Sequence, residues 1–391
     1  MIERQITKKL IYLSTKFPIV TITGPRQSGK TTIIKHIFKD YDYVSLEDPD
    51  NRILANTDPR GFLNNHNEKV IFDEIQNVPE LLSYIQGIVD EKNEAGQFIL
   101  SGSQSILLLN KISQSLAGRT ALLKLLPFNL FELHNAGYFF PDYENWIFYG
   151  FFPRIYDQHI KPNDFYPVYL QTYIERDVRQ IQNIQNLSTF IRFLKLCAGR
   201  IGQLIDYTSL ANDAGISQNT AKGWMSVLEA SYVIFLLQPY YKNFSKRVIK
   251  SPKLYFYDTG LASFLLNISD SQQLNSHYLK GGLFENFILV EIIKTRLNNG
   301  LLTDIYFWRD NKGNEADAII ENNNTMYPIE IKSGRTFNPD FFKNLKYWNK
   351  ISGNLPEYSS VIYGGEKSYN LSNGNVYSWK NLDKLLRILS Y

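Results

Sequence analysis

A run of eight residues, Gly24 to Thr31, has the G-x-x-x-x-G-K-T spacing of a phosphate-binding loop. It follows the apolar run 18–23, which predicts a buried parallel strand, and precedes residues 32–38, which predict a helix. Glycines let successive backbone N–H groups turn toward phosphate oxygens, and the positive end of the following helix adds to the attraction. We expect Lys30 to reach the β- and γ-phosphates and Thr31 to bind Mg²⁺. The chain is therefore predicted to bind a nucleoside triphosphate.

The residues predicted to surround the phosphates come from this loop, the first turn of the helix and a third strand. They are Gly24, Pro25, Arg26, Gln27, Ser28, Gly29, Lys30, Thr31 and Thr32, with Ser101 and Ser103 in the run 97–103. Ligands of open α/β sheets lie beyond the carboxyl ends of the strands, which favours a contact of either serine with the γ-phosphate or its attacking water. An ordinary Ser-Gly turn explains each serine equally well.

Two adjacent acids, Asp73 and Glu74, end the strand-like run 69–74. In P-loop ATPases the first carboxylate holds Mg²⁺ through water or the loop threonine, and the second polarises the attacking water. We assign these catalytic roles to Asp73 and Glu74; a solvated strand end is the alternative. Arg119, before the strand-like run 120–126, is either an arginine finger that completes a neighbouring copy's site, which implies oligomers, or a surface arginine.

A predicted hairpin near the carboxyl end brings further acids together. Its strands are the runs 314–321 and 326–332, joined by a turn rich in asparagine. If the turn is centred on Asn323, Asp317 lies opposite Ile329. Because strand side chains alternate between faces, the acid and the lysine of the second strand point the same way.

The pattern of Asp317, Glu330 and Lys332 is the D…E-x-K arrangement of metal-dependent nucleases. There, carboxylates hold Mg²⁺ and the lysine positions or deprotonates the attacking water. Glu285, on the predicted helix 283–297, would supply a further acid, and such a residue among apolar neighbours usually has a partner. An E-x-K strand is also common in antiparallel sheets, so an ordinary strand is the alternative.

The chain as a whole has 391 residues, of which 44% are hydrophobic and 20% charged, and this predicts a globular protein of two or three domains. The single cysteine excludes an internal disulfide and fits a reducing compartment. Charges in the first 13 residues argue against a signal peptide, and no apolar run approaches the length that spans a membrane. We expect a cytoplasmic protein without a membrane partner, and its net charge of +4 is compatible with nucleic acid.

The middle of the chain is predicted to be helical over 164–200 and to form a helix-turn-helix over 206–233, with a wing after it. Five cations of the wing region could neutralise phosphates: Lys242, Lys246, Arg247, Lys250 and Lys253. In the second helix, Gln218, Asn219 and Lys222 could contact bases. The alternatives are DNA contact without sequence preference and a structural winged helix packed on the preceding domain.

Four motifs together resemble one known family. They are GPRQSGKT at 24–31, VIFDEIQ at 70–76, ILSGSQ at 99–104 and SLAGRT at 115–120. The chain resembles bacterial and archaeal AAA-type ATPases whose C-terminal half is a restriction-endonuclease-like domain of unassigned function, and segments 172–178, 255–261 and 282–286 look like further signatures. The resemblance covers nearly the whole chain and implies an ATPase. It also suggests a role near the nucleotide for the charged residues 175–177, with solvated helix charges as the alternative.

The predicted fold class is α/β. Residues 1–155 are predicted to form an AAA-type P-loop ATPase domain, 156–253 a helical region with a winged helix-turn-helix, and 254–391 a restriction-endonuclease-like mixed α/β domain. The predicted function is Mg²⁺-dependent ATP hydrolysis coupled to nucleic-acid handling, with ATP and DNA as partners and a homo-oligomer as the assembly. The alternative is a nucleotide-gated switch or scaffold that binds a protein partner and carries an inactive nuclease-like domain; active nuclease is a third hypothesis.

Overall fold

The computed structural model describes residues 1–92, 94–103, 115–174, 186–240, 250–322 and 324–389. The strands in these ranges are β1 (Ile19–Thr23), β2 (Asp42–Ser45), β3 (Val70–Asp73), β4 (Phe98–Gly102), β5 (Thr120–Lys124), β6 (Ile234–Pro239), β7 (Lys253–Phe256), β8 (Ile305–Arg309), β9 (Glu315–Asn322), β10 (Thr325–Lys332), β11 (Ser360–Tyr363), β12 (Tyr369–Leu371) and β13 (Gly374–Ser378).

The α-helices in the same ranges are α1 (Thr7–Ser14), α2 (Lys30–Ile37), α3 (Pro49–Thr57), α4 (Pro59–Asn65), α5 (Leu81–Lys92), α6 (Leu130–Asn135), α7 (Tyr143–Tyr149), α8 (Pro153–Asp157), α9 (Pro162–Tyr169), α10 (Leu187–Ala198), α11 (Tyr207–Ala214), α12 (Gln218–Ala230), α13 (Thr259–Leu265), α14 (Lys280–Asn298), α15 (Lys343–Ser352) and α16 (Leu382–Ile388).

The first sheet has the strand order β2-β3-β4-β1-β5, and all its pairs are parallel. Its central strands are continuous apolar runs because helices cover both faces. Phe72 and Phe98 stack on one face with ring centroids 6.0 Å apart, and Ile22 and Ile71 lie in the cluster on the other face. The predicted parallel P-loop sheet is confirmed, and its carboxyl edge collects the ends of β1, β3 and β4.

The residues after Leu125 pack in a different core. One cluster of buried side chains extends from Leu126 to Leu389 and includes helices α6 to α14 and the inner face of the second sheet. The predicted boundary at 155/156 falls inside α8, whose Ile155 and Tyr156 belong to this cluster. The polypeptide therefore leaves the first sheet well before that boundary, at the end of β5.

Helices α11 and α12 are joined by a short turn inside the predicted range 206–233, and we refer to the pair as the helix-turn-helix; a winged helix here stays a prediction. Gly215 closes the turn with φ of 70°, a left-handed conformation that glycine adopts without strain. Ser217 then caps α12 by accepting a hydrogen bond from the backbone N–H of Thr220 at 3.1 Å. Trp224 packs on Phe190 of α10 with ring centroids 5.3 Å apart, so the inner face of α12 is core rather than binding surface.

The second sheet has the order β12-β13-β11-β10-β9-β8-β6-β7 and mixes parallel with antiparallel pairs. Strands β6 and β7, which follow the helix-turn-helix, pair with each other and join the sheet through β8. The predicted boundary at 253/254 thus falls at the first residue of β7. The residues that would form the tip of the wing, 241–249, lie outside the described residues.

The predicted register of the β9–β10 hairpin is wrong by one residue. Ile329 pairs with Ala318 rather than Asp317, and Thr325 pairs with Asn322. The reason is that β9 continues to Asn322 and β10 begins at Thr325, which leaves a two-residue connection where a three-residue turn was predicted.

Candidate functional site

The loop between β1 and α2 has the backbone geometry of a phosphate-binding loop. Gly24 has φ of 152°, and a Cβ there would lie 2.0 Å from the carbonyl oxygen of Leu125, which excludes any other residue. Gln27 and Gly29 have φ of 60° and 92°, so two residues of the loop are left-handed before α2 begins. The first turn of α2, with Thr31 and the exposed Thr32, follows directly. This arrangement directs the amino end of a helix at the loop.

Polar groups of the loop suit a polyanion. The ammonium of Lys30 is 5% exposed and donates hydrogen bonds to the carbonyl oxygens of Gly24 at 3.0 Å and Pro25 at 2.8 Å. The hydroxyl of Ser28 is buried and has no partner among the described residues. A buried donor without a partner and an ammonium at the mouth of the loop fit phosphate oxygens, which are acceptors.

An arginine near the amino terminus holds the backbone of the phosphate loop, and the sequence analysis did not identify this residue. Arg4 donates to the carbonyl oxygens of Ser28 at 2.8 Å and Leu126 at 2.6 Å and forms an ion pair with Glu132 at 3.1 Å. Both charged side chains are buried, and removing one partner of such a pair typically costs about 3–5 kcal/mol. The sequence offered only one hint of this role, a charged residue in an amphipathic segment. The partners of Arg4 could not be predicted because they lie more than 20 positions away.

Asp73, at the carboxyl end of β3, collects three hydroxyl groups. Thr31 Oγ1 and Tyr43 OH each donate to its Oδ2 at 2.8 Å, and Ser101 donates to its Oδ1. The threonine hydroxyl and a carboxylate oxygen therefore lie together at the loop, and oxygen ligands of this kind fit Mg²⁺. Burial, followed by the charge of Asp73, raises the pKa of Tyr43, so this phenol stays protonated and remains a donor.

Glu74 is held beside the same strand end. It has φ of 56°, accepts from Ser103 Oγ at 3.1 Å, and is also contacted by the side-chain amide of Gln76. Strained backbone at a strand end is a common feature of catalytic residues. Ser101 and Ser103 thus orient the two acids in this structure, and their predicted contact with the γ-phosphate stays a prediction. Gln76 was not predicted, although it lies in the quoted motif.

Arg119 lies at the opposite edge of the sheet from the loop. Thr120, its neighbour, pairs with Ile19 at the start of β1, whereas the phosphate loop follows the end of β1. The guanidinium forms a two-pronged ion pair with Asp90, at 2.5 and 2.8 Å. Arg119 cannot reach the phosphate loop of its own chain, and its predicted role in a neighbouring copy stays a prediction.

A hydrogen bond links the phosphate loop to the helix-turn-helix. The hydroxyl of Tyr232, two residues after α12, donates to Oγ1 of Thr23 at 3.0 Å, and both residues are buried. Thr23 is the residue directly before Gly24. Tyr232 has φ of 56°, a conformation that costs a bulky residue free energy and persists only where contacts hold it.

The predicted C-terminal residues Asp317, Glu330 and Lys332 do come together. Lys332 Nζ lies 2.5 Å from Glu330 Oε1 and 3.5 Å from Asp317 Oδ2. Asp317 Oδ2 also accepts from the backbone N–H of Ile331 at 2.7 Å, and Glu330 Oε1 accepts from Asn344 at 3.4 Å. Burial, and then the charge of Asp317, raises the pKa of Glu330 to about 8.

Glu285 is paired with a residue that was predicted to face DNA. Lys253 Nζ lies 3.1 Å from Glu285 Oε1 and forms a second ion pair with Glu315. Because Lys253 is only 4% exposed, the prediction that it neutralises phosphates is wrong: β7 is the edge strand of the second sheet, but Glu285 and Glu315 cover this side chain. The hydroxyl of Tyr255 also bonds to Glu285, whose pKa burial raises to about 7.

The next feature is the set of side chains that could bind a metal ion directly, in the described part of the chain. Within the ranges given above, no group of three or more His, Cys, Asp or Glu residues is placed to hold a metal ion. At the phosphate loop this is expected, because a nucleotide-bound Mg²⁺ takes most of its ligands from phosphates and water. The charged residues Glu175, Arg176 and Asp177, predicted to lie near the nucleotide, are outside the described residues.

Comparison with protein families divides the chain into three matched segments. Residues 16–134 match an AAA domain, and residues 140–272 and 280–382 match two domains of unknown function, DUF8612 and DUF4143. Together with the loop geometry, the first match shows that the chain contains an AAA-type P-loop ATPase domain, the class of domain that binds and hydrolyses ATP. Across the described residues, no helix is long and apolar enough to cross a membrane.

Similar proteins are found at low identity. The chain is 28% identical over 382 residues to the uncharacterized proteins Rv2008c of Mycobacterium tuberculosis and Mb2031c of Mycobacterium bovis, covering 95% of this chain and 84% of theirs. Among solved structures, the Walker-type ATPase paby2304 of Pyrococcus abyssi is 14% identical with a TM-score of 0.46, over 68% of this chain and 96% of that one. AMPPCP-bound DnaA of Aquifex aeolicus is 14% identical with a TM-score of 0.30, over 57% and 85%.

Proposed function

We propose that the chain couples Mg²⁺-dependent ATP hydrolysis to the handling of nucleic acid, through its helix-turn-helix unit. The observation that carries the proposal is the hydrogen bond from Tyr232 to Thr23. It joins the residue before the phosphate loop to the segment that ends α12. A change in the loop on nucleotide binding therefore has a direct route to the unit proposed to contact nucleic acid.

The binding step rests on the loop. Backbone N–H groups of the loop and the start of α2 surround the phosphates, and Lys30 exchanges its two carbonyl partners for β- and γ-phosphate oxygens. Thr31 and Asp73 would hold Mg²⁺, which supplies neutralisation of phosphate charge when bound. Tyr43, kept protonated, holds the Asp73 carboxylate in place.

The hydrolysis step rests on Glu74. Its carboxylate accepts the proton of the attacking water, while Ser103 and Gln76 fix its orientation. The neighbouring Asp73 is committed to the hydroxyl of Thr31, so the two adjacent acids take different roles.

Transmission to the helix-turn-helix follows from the change at Lys30. When its ammonium leaves the carbonyls of Gly24 and Pro25, the loop relaxes next to Thr23. Tyr232, held in a strained conformation, responds to that shift because its hydroxyl bonds to Thr23. The state of the nucleotide thereby biases the position of α12.

The surface offered to nucleic acid is the outer face of α12. Gln218, Asn219 and Lys222 are all exposed there, and Lys250 is exposed at the described end of the wing. These residues supply hydrogen-bond donors and positive charge for a phosphate backbone. The basic net charge of +4 supports the same partner.

The assembly that fits Arg119 is a homo-oligomer in the cytoplasm. An arginine at the sheet edge opposite the loop can complete only the site of another copy, as arginine fingers do in related chemistry. The lone buried Cys197 is compatible with a reducing compartment. Light scattering of the purified chain with ATP tests the assembly, and a monomer at all concentrations would contradict it.

The coupling is tested by ATP turnover with and without duplex DNA. We expect DNA to stimulate the wild-type chain several-fold and Tyr232→Phe to lose the stimulation, because that variant removes only the hydroxyl that reaches Thr23. Its basal turnover should stay within about twofold of wild type.

Tyr257→Phe is the matched control. Its ring centroid lies 6.0 Å from that of Tyr232, so it loses the same atom in the same environment, and it should keep the stimulation. Turnover that duplex DNA leaves unchanged in the wild-type chain would contradict nucleic-acid coupling and favour the switch that senses a protein partner. Equal stimulation of Tyr232→Phe would contradict the proposed route.

A further inference from the structure

A buried lysine lies among the acids of the C-terminal unit. Lys253 comes from the first position of β7, and its ammonium is 3.1 Å from Glu285 of α14 and also paired with Glu315 of β9. The carboxylates that raise the pKa of Lys253, against the opposing effect of burial, belong to Glu285, Asp317 and Glu315. The lysine is therefore held charged by the acids that surround it.

The same acids have few oxygens left for a metal ion. Oε1 of Glu285 accepts from both Lys253 and Tyr255, and Oε2 of Glu315 lies 3.4 Å from the guanidinium of Arg309. Asp317 Oδ2 is occupied by the backbone N–H of Ile331 and by the second lysine of the cluster. Mg²⁺ or Ca²⁺ binds several carboxylate and carbonyl oxygens, whereas at least one oxygen of each of these carboxylates is already paired with a cation or an N–H donor. Among the described residues, no group of three acids is placed to hold a metal ion.

One buried oxygen stays open. Oε2 of Glu330 has no partner within the described residues, while Oε1 of the same carboxylate lies 2.5 Å from Lys332 Nζ. A single open oxygen is far from the several ligands that a divalent ion takes. The cluster also offsets most of its charge internally, because Lys253, Lys332 and Arg309 face the acids at 285, 315, 317 and 330.

We propose that the ammonium of Lys253 is the resident cation of this cluster and takes the place that a divalent metal ion has in a metal-dependent nuclease. The residues do not fit such a metal, so the C-terminal unit carries out no metal-dependent cleavage. Lys253 instead fastens the β6–β7 hairpin to α14 and β9. The D…E-x-K pattern predicted from the sequence is kept as a structural ion-pair cluster.

The test measures Mn²⁺ binding through the electron paramagnetic resonance signal of free Mn²⁺, in the absence of nucleotide. The parent chain is the full chain with Asp73→Asn, which removes the carboxylate at the phosphate loop. We expect the parent chain to bind no Mn²⁺ at the cluster. Lys253→Met keeps the length of the side chain and removes its charge, so it should show a saturable Mn²⁺ site that the parent chain lacks. Adding Glu285→Gln to that variant should abolish the gain.

Two further variants keep the test decisive if Lys253→Met does not fold. Glu285→Gln and Asp317→Asn, each with Lys253 intact, should leave Mn²⁺ binding of the parent chain unchanged. A Mn²⁺ site in the parent chain that either variant removes would overturn the proposal. Cleavage of DNA that depends on Mn²⁺ and is lost in Asp317→Asn would overturn it as well.

Discussion

Asp73 and Glu74 are adjacent in sequence, yet their surroundings differ at every contact. Asp73 is buried and accepts hydrogen bonds from hydroxyl groups of three elements, α2, β2 and β4. Glu74 is half-buried, strained at φ of 56°, and held by a serine and an amide. These different partners support the proposal that Asp73 binds the metal ion and Glu74 accepts the proton.

Gln76 is the residue in this group whose role the sequence did not reveal. Its Nε2 bonds to Glu74 and lies 3.4 Å from Ser103 Oγ, while its Oε1 is buried without a partner in the described part of the chain. A buried acceptor beside the proposed base is placed to receive a hydrogen bond from the attacking water.

Replacing Gln76 by Ala should therefore lower kcat for ATP by roughly tenfold or more and leave the Kd for ATP within about twofold, because the contacts to phosphate are untouched. Steady-state turnover and a binding titration measure the two quantities. Asn77→Ala is the control, since the neighbouring amide bonds to the carbonyl of Leu46 instead. An unchanged kcat in Gln76→Ala would remove this residue from the mechanism.

At the scale of elements, local patterns predicted well wherever the signal was local. Strands β1, β3, β4 and β5 lie within two residues of their predicted bounds because each is a continuous apolar run with polar residues at its ends. The turn between α11 and α12 lies inside the predicted range 206–233, and it is formed locally by the left-handed Gly215 and the capping bond of Ser217. Thr31 and Asp73, which motif spacing predicted to lie at one site, are joined by a hydrogen bond of 2.8 Å, and the roles of both residues stay predictions.

Features that depend on distant partners could not be predicted in this way. The burial of Lys253 results from its contacts with Glu285 of α14 and Glu315 of β9, which come much later in the chain, so a local run of cations indicated the opposite environment. The hairpin register differed by one residue because turn length decides it and asparagines favour more than one turn. Arg4 and Tyr43 reach the site only once the sheet and the amino terminus have assembled.

Asp258 belongs to the segment 255–261, which the sequence analysis identified as a family signature. Its carboxylate caps α13 through the N–H of Leu261 at 2.9 Å and also accepts from Phe151 N and Tyr166 OH, at 2.8 and 2.7 Å. A Cβ at Gly150 would lie 2.0 Å from that tyrosine oxygen. The segment therefore joins α7, α9 and α13 in one buried junction, which is a structural role.

At the scale of the whole molecule, the two edges of the first sheet carry different charged groups. The carboxyl edge holds the phosphate loop and the acids, and the amino edge carries Arg119 next to the start of β5. Copies that place one edge against the other would bring the Arg119 guanidinium to a neighbour's γ-phosphate.

Mixing two inactive variants tests that arrangement. Lys30→Ala loses the lysine contact to phosphate but retains Arg119, whereas Arg119→Ala loses the arginine but retains Lys30. We expect each variant alone to lose most of its ATP turnover and an equimolar mixture to recover part of that turnover. Asp90→Ala, which removes the partner of Arg119 within the chain, should stay active. Full activity of Arg119→Ala alone, or no recovery on mixing, would contradict a shared site.

The most direct measurement is a calorimetric titration of the full chain with ATP and Mg²⁺, repeated with Lys30→Ala. Every step proposed above begins with a triphosphate enclosed by the loop after β1 and held by the Lys30 ammonium. We predict saturable binding by the wild-type chain and binding weakened by at least about tenfold in the variant, since a charge-assisted contact to phosphate is lost. No heat and no thermal protection by ATP in the wild-type chain, or equal affinity in Lys30→Ala, would contradict this.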